Sequence, residues 1–461
     1  MFVGDYRVKQ AFKFMALRLY WCNMEQEACD QKLTGFHYRL LTLGSFIYAF
    51  TAMNVLLIAA VLPSIISEFD LASEPLITGL LLSSGYVGMF VGALFFGVLA
   101  DKMGRRRTLL LTVSMMAVFT VLNAIAPDVS IMSILRFFAG IGLGGALPQP
   151  GIYISEYVPA KFRGRVLGLV EASWVYGALL SLAFPFLLFP MFGWRLTFLV
   201  SLLPLALLPA VYFFAPESIR FLLYKGKTAE AKRLAEKHSL SLEVYKEKVN
   251  NRKQESAISA LKSLWSIAFR RRTLMLWIVW AVLVYSYHGI FIWLPTFYSA
   301  TLGFTVVKSI QWVLIITLVQ IPGYYSAALL LDRVGRKKIA ITYLLFAGIA
   351  SILLSLAIDP SGILFWSAVI SFFNLGAWSA LYAYTPELYP TNIRGTGAGT
   401  AASIGRLAGV IAPTATPLLY FYGGLPAAFA VFAVIQIFGA VAILTLGIET
   451  KGKTLQDISK E

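Results

Sequence analysis

Four ionisable residues stand inside long apolar stretches of this 461-residue chain: Arg136, Glu171, His288 and Arg406. Charge in such a setting is expensive unless it is paired, hydrated or used. An arginine keeps its charge at any physiological pH and forks onto a carboxylate through parallel N–H donors. Arg406 is therefore a candidate anchor for an organic anion, the alternative being a guanidinium satisfied by helix carbonyls and water. A glutamate lining a cavity can load and release a proton as its surroundings change. That makes Glu171 a candidate proton carrier, against a permanent ion pair or a carboxyl held neutral by a hydroxyl. His288, in SYHGIFIWLP (286–295), is either a ligand contact or a hydrogen-bonded wall residue. No nucleophile–base pair, metal-spaced cluster or nucleotide-binding loop accompanies them, so the expectation is no enzyme, no metal, no cofactor and no ATP drive.

The elements that position these residues are apolar helices. Hydrophobic residues make up 58% of the chain and charged residues 13%, and mean hydropathy is +0.74. Segments of about 20 apolar residues cross a hydrocarbon core roughly 30 Å thick. Twelve are predicted, at 41–62, 76–100, 108–126, 130–152, 166–189, 196–215, 273–298, 309–331, 339–358, 362–384, 396–419 and 426–447. All must be helical, because lipid offers no partner to backbone N–H and C=O groups. The organisation expected is an N-terminal segment 1–40, a six-helix bundle 41–215, a linker 216–272, a second bundle 273–447 and a tail 448–461. KTAEAKRLAEKHSLSLEVYKEKV in the linker has the spacing of short amphipathic helices.

A net charge of +16 is no nucleic-acid signature here, because of where the charge lies. With the N-terminus inside, 35 of the 39 lysines and arginines fall on the cytoplasmic side, as the positive-inside rule requires. Both termini are then cytoplasmic. The excess is topology, with some attraction to anionic lipid. Cys22 and Cys29 both precede the first span, so no disulfide is expected. The basic, aromatic segment 1–23 lacks a signal-peptide cleavage site and carries no functional assignment.

A basic loop occurs twice. GVLADKMGRRR (97–107) and ALLLDRVGRKK (328–338) each join two apolar runs, and half the length of the chain separates Asp101 from Asp332. Parallel repeats of this kind are a transporter architecture, with substrate held between the halves near the midplane. A loop that only sets topology needs Lys and Arg, not Asp. Asp101, Arg105, Asp332 and Arg336 therefore read as a charged gate, with Gly104 and Gly335 permitting the turn. Glu156 and Arg163 share a spacing with Glu387 and Arg394 and extend the network.

Together these motifs resemble the major facilitator superfamily. The Asp-(Arg/Lys)-x-Gly loops are similar to its hallmark after helices 2 and 8, and RFFAGIGLGG (136–145) to its helix 4 motif. PESIRFLL (216–223), ETKGKTL (449–455), SEYVPAKFRGR (155–165) and PELYPTNIRG (386–395) resemble the sugar-porter branch. Within it, VEASWVYG (170–177), SYHGIFIWLP, LGAWSALYAYTPELYP (375–390) and GRLAGVIAP (405–413) look more like carriers of nicotinate, aromatic acids and other organic ions than sugar carriers.

The resemblance implies an all-α membrane protein of twelve transmembrane helices in two six-helix pseudo-repeats, working as a monomer in the plasma membrane. Arg406 falls where relatives for organic anions carry a base, and Arg136 at a position tied to proton coupling. Proton-coupled relatives place aspartates in helix 1, where this chain has Thr51 and Asn54. The cavity-lining helices of that fold carry Trp174, Tyr176, Tyr287, His288, Trp293, Trp378, Tyr382 and Tyr384 here. The substrate contacts expected are Arg406, Asn54, Trp174, His288, Trp378 and Tyr384, with Glu171 and Arg136 in proton coupling. The function expected is secondary transport of a small aromatic or heteroaromatic carboxylate, with protons. A sugar or polyol carrier is the alternative, and a non-transporting nutrient receptor a second one, less favoured because such receptors need a long signalling tail.

Overall fold

The structure, a computed structural model, describes residues 33–238, 240, 242, 243, 245, 257–390 and 393–452. The two cysteines, the segment 1–23, part of the linker and most of the tail lie outside them. Everything regular among the described residues is helical. The first half runs α1 (Gly35–Glu68), α2 (Pro75–Met103), α3 (Arg105–Leu122), α4 (Val129–Ala146), α5 (Gln149–Tyr157), α6 (Ala160–Thr197) and α7 (Leu207–Phe214). Three short linker helices follow: α8 (Ile219–Tyr224), α9 (Thr228–Lys237) and α10 (Ala257–Leu264). The second half runs α11 (Arg270–Phe291), α12 (Leu294–Leu302), α13 (Val306–Leu318), α14 (Gln320–Val334), α15 (Arg336–Ser355), α16 (Pro360–Glu387) and α17 (Arg394–Leu446).

Among the described residues, ten helical stretches are long and apolar enough to cross a membrane, so the protein is multi-pass. Two of them, Lys161–Phe214 and Arg394–Leu446, hold 54 and 53 residues. At about 1.5 Å per residue each is roughly 80 Å long, more than twice a hydrocarbon core. Neither is one straight rod. Gly193 (φ 69°, ψ −178°) interrupts the first and Gly424 (φ 67°, ψ −167°) the second, at the same interval that separates Asp101 from Asp332.

Helices within each half approach closely where glycine removes the side chain. A Cβ on Gly88 or Gly92 of α2 would collide with the carbonyl oxygens of Phe137 and Ile141 on α4. On α4, Gly140 and Gly144 make matching approaches to Gly85 and Met89. The Gly88/Gly92 pair is thus a helix–helix seam of the small-residue kind. Gly405 and Gly409 of α17 do similar work more loosely, against Val284 of α11 and Tyr86 of α2.

The halves meet along α2–α17, α6–α13 and α1–α12. At the end remote from the Asp101 loop, Ser83 Oγ donates to the carbonyl of Val410 (2.6 Å) and lies 2.7 Å from Thr414 Oγ1. Gly79, a turn away, rests on the Thr414 backbone. These contacts close the space between the halves on that side.

Candidate functional site

A cavity of about 230 Å³ lies between the halves. Five of the expected substrate and coupling residues line it: Glu171 and Trp174 from α6, His288 from α11, Trp378 from α16 and Arg406 from α17. Aromatic rings form most of the rest of the wall. Trp280, Trp378 and Tyr382 pack mutually with centroids 5.4–5.6 Å apart, Trp280 edge-on to both of the others. Trp174 donates through Nε1 to Tyr287 Oη (2.9 Å), tying α6 to α11 across the halves.

The charges are placed differently. Tyr48 of α1 donates its hydroxyl to the Glu171 carboxylate, and Tyr382 approaches the same group from the other half. Arg406 has no acidic partner among the described residues, and it shares the cavity wall with Tyr48 and Tyr382. The cavity therefore holds a carboxyl engaged by phenols and a guanidinium facing open space. Imidazole Nδ1 of His288 lies 2.9 Å from the Val284 carbonyl, one helical turn below it.

Three expected contacts stand apart from the cavity. Asn54 is buried in the first half and spends its amide on the Phe50 carbonyl (2.8 Å). Arg136 is buried against Gly85, behind Tyr86 rather than in the cavity itself. Tyr384 sits toward the charged end, its hydroxyl on the carbonyl of Ile448. That bond holds the ring at the charged end, just as Tyr153, half a chain earlier, is held by its bond to the carbonyl of Pro216 (2.5 Å).

The charged loops form two networks built alike. In one, Arg105 reaches Asp101 (2.8 Å) and Glu156 (3.4 Å). In the other, Arg336 reaches Asp332 (3.0 Å) and Glu387 (3.1 Å). Each stays inside its own half. Arg163 and Arg394 lie beside them, donating to the carbonyls of Val158 (3.4 Å) and Tyr389 (3.3 Å).

Two carboxylates outside the expected set complete the networks. Glu217 accepts the backbone N–H groups of Arg105 (2.7 Å), Arg106 (3.4 Å) and Ser218 (2.9 Å). Glu449 accepts those of Arg336 (2.9 Å), Thr450 (2.9 Å) and Lys451 (3.1 Å). A helix N-terminus has unpaired N–H groups and partial positive charge, so each acid caps the helix that follows its loop, α3 or α15. The cap explains the glycines as well. Gly104 (φ 97°) and Gly335 (φ 113°) take a backbone conformation open to glycine, and a Cβ on either would strike the capping carboxylate.

Comparison with known proteins decides the family. The model of the sugar (and other) transporter family matches residues 38–461. The chain belongs to this family. Similar proteins include the niacin transporter NiaP of Acinetobacter baylyi, 38% identical over 92% of this chain and 96% of that protein. The putative niacin/nicotinamide transporter NiaP of Bacillus subtilis is 34% identical over 91% and 98%, and the benzoate transport protein of Acinetobacter baylyi 27% over 90% and 92%. Among solved structures, the partially occluded inward-open xylose transporter XylE of E. coli superposes with TM-score 0.75, at 18% identity over 91% of this chain and 100% of that one. That likeness shows the fold, of the major facilitator type. The protein is a transporter, not an enzyme.

Sequence reasoning missed Tyr48, whose hydroxyl occupies the Glu171 carboxylate, because on α1 it was acids and amides that drew attention. The caps Glu217 and Glu449 stood in quoted family motifs, and their repeat was the available signal. They set a ranking of effects. Asp101 pairs with Arg105 from a largely exposed position, which is worth under about 1 kcal/mol. Glu217→Ala removes a helix cap and strands three N–H groups, which costs about 1–3 kcal/mol. Thermal unfolding of the purified protein should therefore show a larger midpoint drop for Glu217→Ala than for Asp101→Asn; the reverse order would remove the capping assignment.

Proposed function

We propose that this transporter carries a small aromatic or heteroaromatic monocarboxylate across the plasma membrane by alternating access, together with protons. The observation that carries the reading is the Arg406 guanidinium, facing an aromatic cavity without an acidic partner among the described residues. An unpaired charge at that depth calls for an anion, and an arginine holds a carboxylate bidentately. The rings of Trp378, Tyr382 and Trp280 offer faces and edges to a planar ligand. A volume near 230 Å³ falls below the ~300–1,000 Å³ usual for drug-sized ligands, which suits a single ring. Niacin and benzoate, named for the relatives, are ring carboxylates of that size.

The proposed path is twelve crossings in two six-helix repeats, with the charged loops and both termini cytoplasmic. Gly193 and Gly424 turn the two longest stretches back on themselves, and matching contacts recur half a chain apart through both halves. Ser83 and Thr414 close the cavity on the outer side, while each charged network stays within its own bundle. Such an arrangement belongs to a carrier closed outward. In the opposite state the Asp101 and Asp332 loops would meet across the halves and act as the inner gate, with Glu156, Arg163, Glu387 and Arg394.

Glu171 is the proposed proton carrier, since it bridges a phenol of each half. Glu171→Gln should abolish accumulation driven by a pH gradient in proteoliposomes while leaving counterflow exchange, which needs reorientation only when loaded. Unchanged concentrative uptake would move coupling elsewhere, Arg136 first.

Arg406 carries the substrate class. Arg406→Ala should lose about 2–5 kcal/mol of benzoate affinity, the range for removing one side of a desolvated charge pair. Arg406→Lys should keep only part, because an ammonium cannot form the fork. Benzamide should bind the wild type poorly and lose little further in the alanine variant, and the resulting cycle isolates the pair. Equal losses for acid and amide would make Arg406 structural and move the sugar reading ahead.

A further inference from the structure

Resting on the carboxylate reading, we propose that His288 is the cavity's specificity residue: an obligate hydrogen-bond acceptor for a donor group that the cargo carries on its ring, meta to its carboxylate. The geometry begins with the Val284 carbonyl, which can only accept. Nδ1 of His288, 2.9 Å away, must therefore carry its proton toward the backbone. In a neutral ring this leaves Nε2 as a bare lone pair, with no protein partner among the described residues. The side chain is 8% exposed, and what exposure it has opens on the cavity. Tyr86 from α2 (4.9 Å), Trp174 from α6 (6.3 Å) and Tyr287 of its own helix (5.4 Å) pack around the ring edge-to-face. None of these takes the lone pair.

The spacing to Arg406 suits one ring. Val284 lies against Gly405 and Gly409, which bracket Arg406 on α17. His288 stands four residues further along α11, so its backbone lies about 6 Å, one helical turn, beyond that level, and both side chains line the same cavity. A carboxylate on Arg406 therefore points its ring toward His288, and a substituent meta to the carboxylate reaches Nε2. A hydroxyl or N–H there satisfies the lone pair, whereas an ether oxygen faces it lone pair to lone pair. A pyridine-type nitrogen meets Nε2 only as N–H, so such a cargo takes its own proton into a site it shares with Glu171 and Arg406.

The test is equilibrium binding to the full-length purified protein of benzoate, 3-hydroxybenzoate and 3-methoxybenzoate, in the wild type, His288→Phe and His288→Leu. The hydroxyl can donate; the methoxy group only accepts. The wild type should bind the hydroxy acid about three- to tenfold more tightly than benzoate, the worth of one hydrogen bond, and the methoxy acid no more tightly. In both variants the ratio of 3-hydroxybenzoate to benzoate affinity should fall to about one, whatever the change in benzoate affinity itself. If one variant fails to fold, the other carries the comparison. A wild type that treats the three alike, one that favours the methoxy acid, or a hydroxyl preference that survives in the variants overturns the assignment. Should none of the acids bind the wild type, the carboxylate reading falls with it.

Discussion

A guanidinium placed deep in a membrane protein must be hydrated, paired or used, because burying it alone costs several kcal/mol. Arg406 lines the cavity without an acidic partner among the described residues, and in the proposed function it is used. The cavity's carboxyl, Glu171, accepts the Tyr48 hydroxyl and is approached by Tyr382. An ion pair between Glu171 and Arg406 would join α6 to α17 and lock the halves together; the tyrosines keep the acid occupied and the base available.

The same separation of duties runs through the frame. α2 and α4 pack backbone to backbone through Gly88 and Gly92, since the facing carbonyls leave no room for a side chain. Each half carries its own capped loop, with Glu217 or Glu449 on a helix N-terminus and Arg105 or Arg336 between two acids. Individual exposed pairs are weak. Together with the caps they fix helix ends within a half, as the proposed alternating access requires.

How much of this was legible beforehand divides along physical lines. Long apolar helices follow from hydropathy, because lipid punishes any exception; ten stretches qualify among the described residues, where the sequence predicts twelve spans and two of the ten are interrupted at a glycine. The loop repeat announced itself through Asp101 and Asp332. Five of the expected site residues reach one cavity because intramembrane charge and tryptophan are scarce enough to stand out. Asn54 and Tyr384 did not join them. Rotation about a helix axis decides which face a polar residue presents, and a nearly uniform apolar helix carries little periodic signal to fix that rotation. Tyr48 was hidden for the same reason: its role is a hydrogen bond to a residue far away in sequence, which no local pattern encodes. Tyr384 was the avoidable case, since its counterpart Tyr153 sits at the repeat interval.

A carboxylate on Arg406, inside the aromatic cavity between the halves, is tested most directly by a structure with a marked ligand. With 3-bromobenzoate bound, the anomalous signal of bromine locates the ring independently of the protein density. The expected result is a single bromine peak within the cavity, with the carboxylate in hydrogen-bond contact with the Arg406 guanidinium. A bromine peak outside the cavity, or a carboxylate turned away from Arg406, would contradict it.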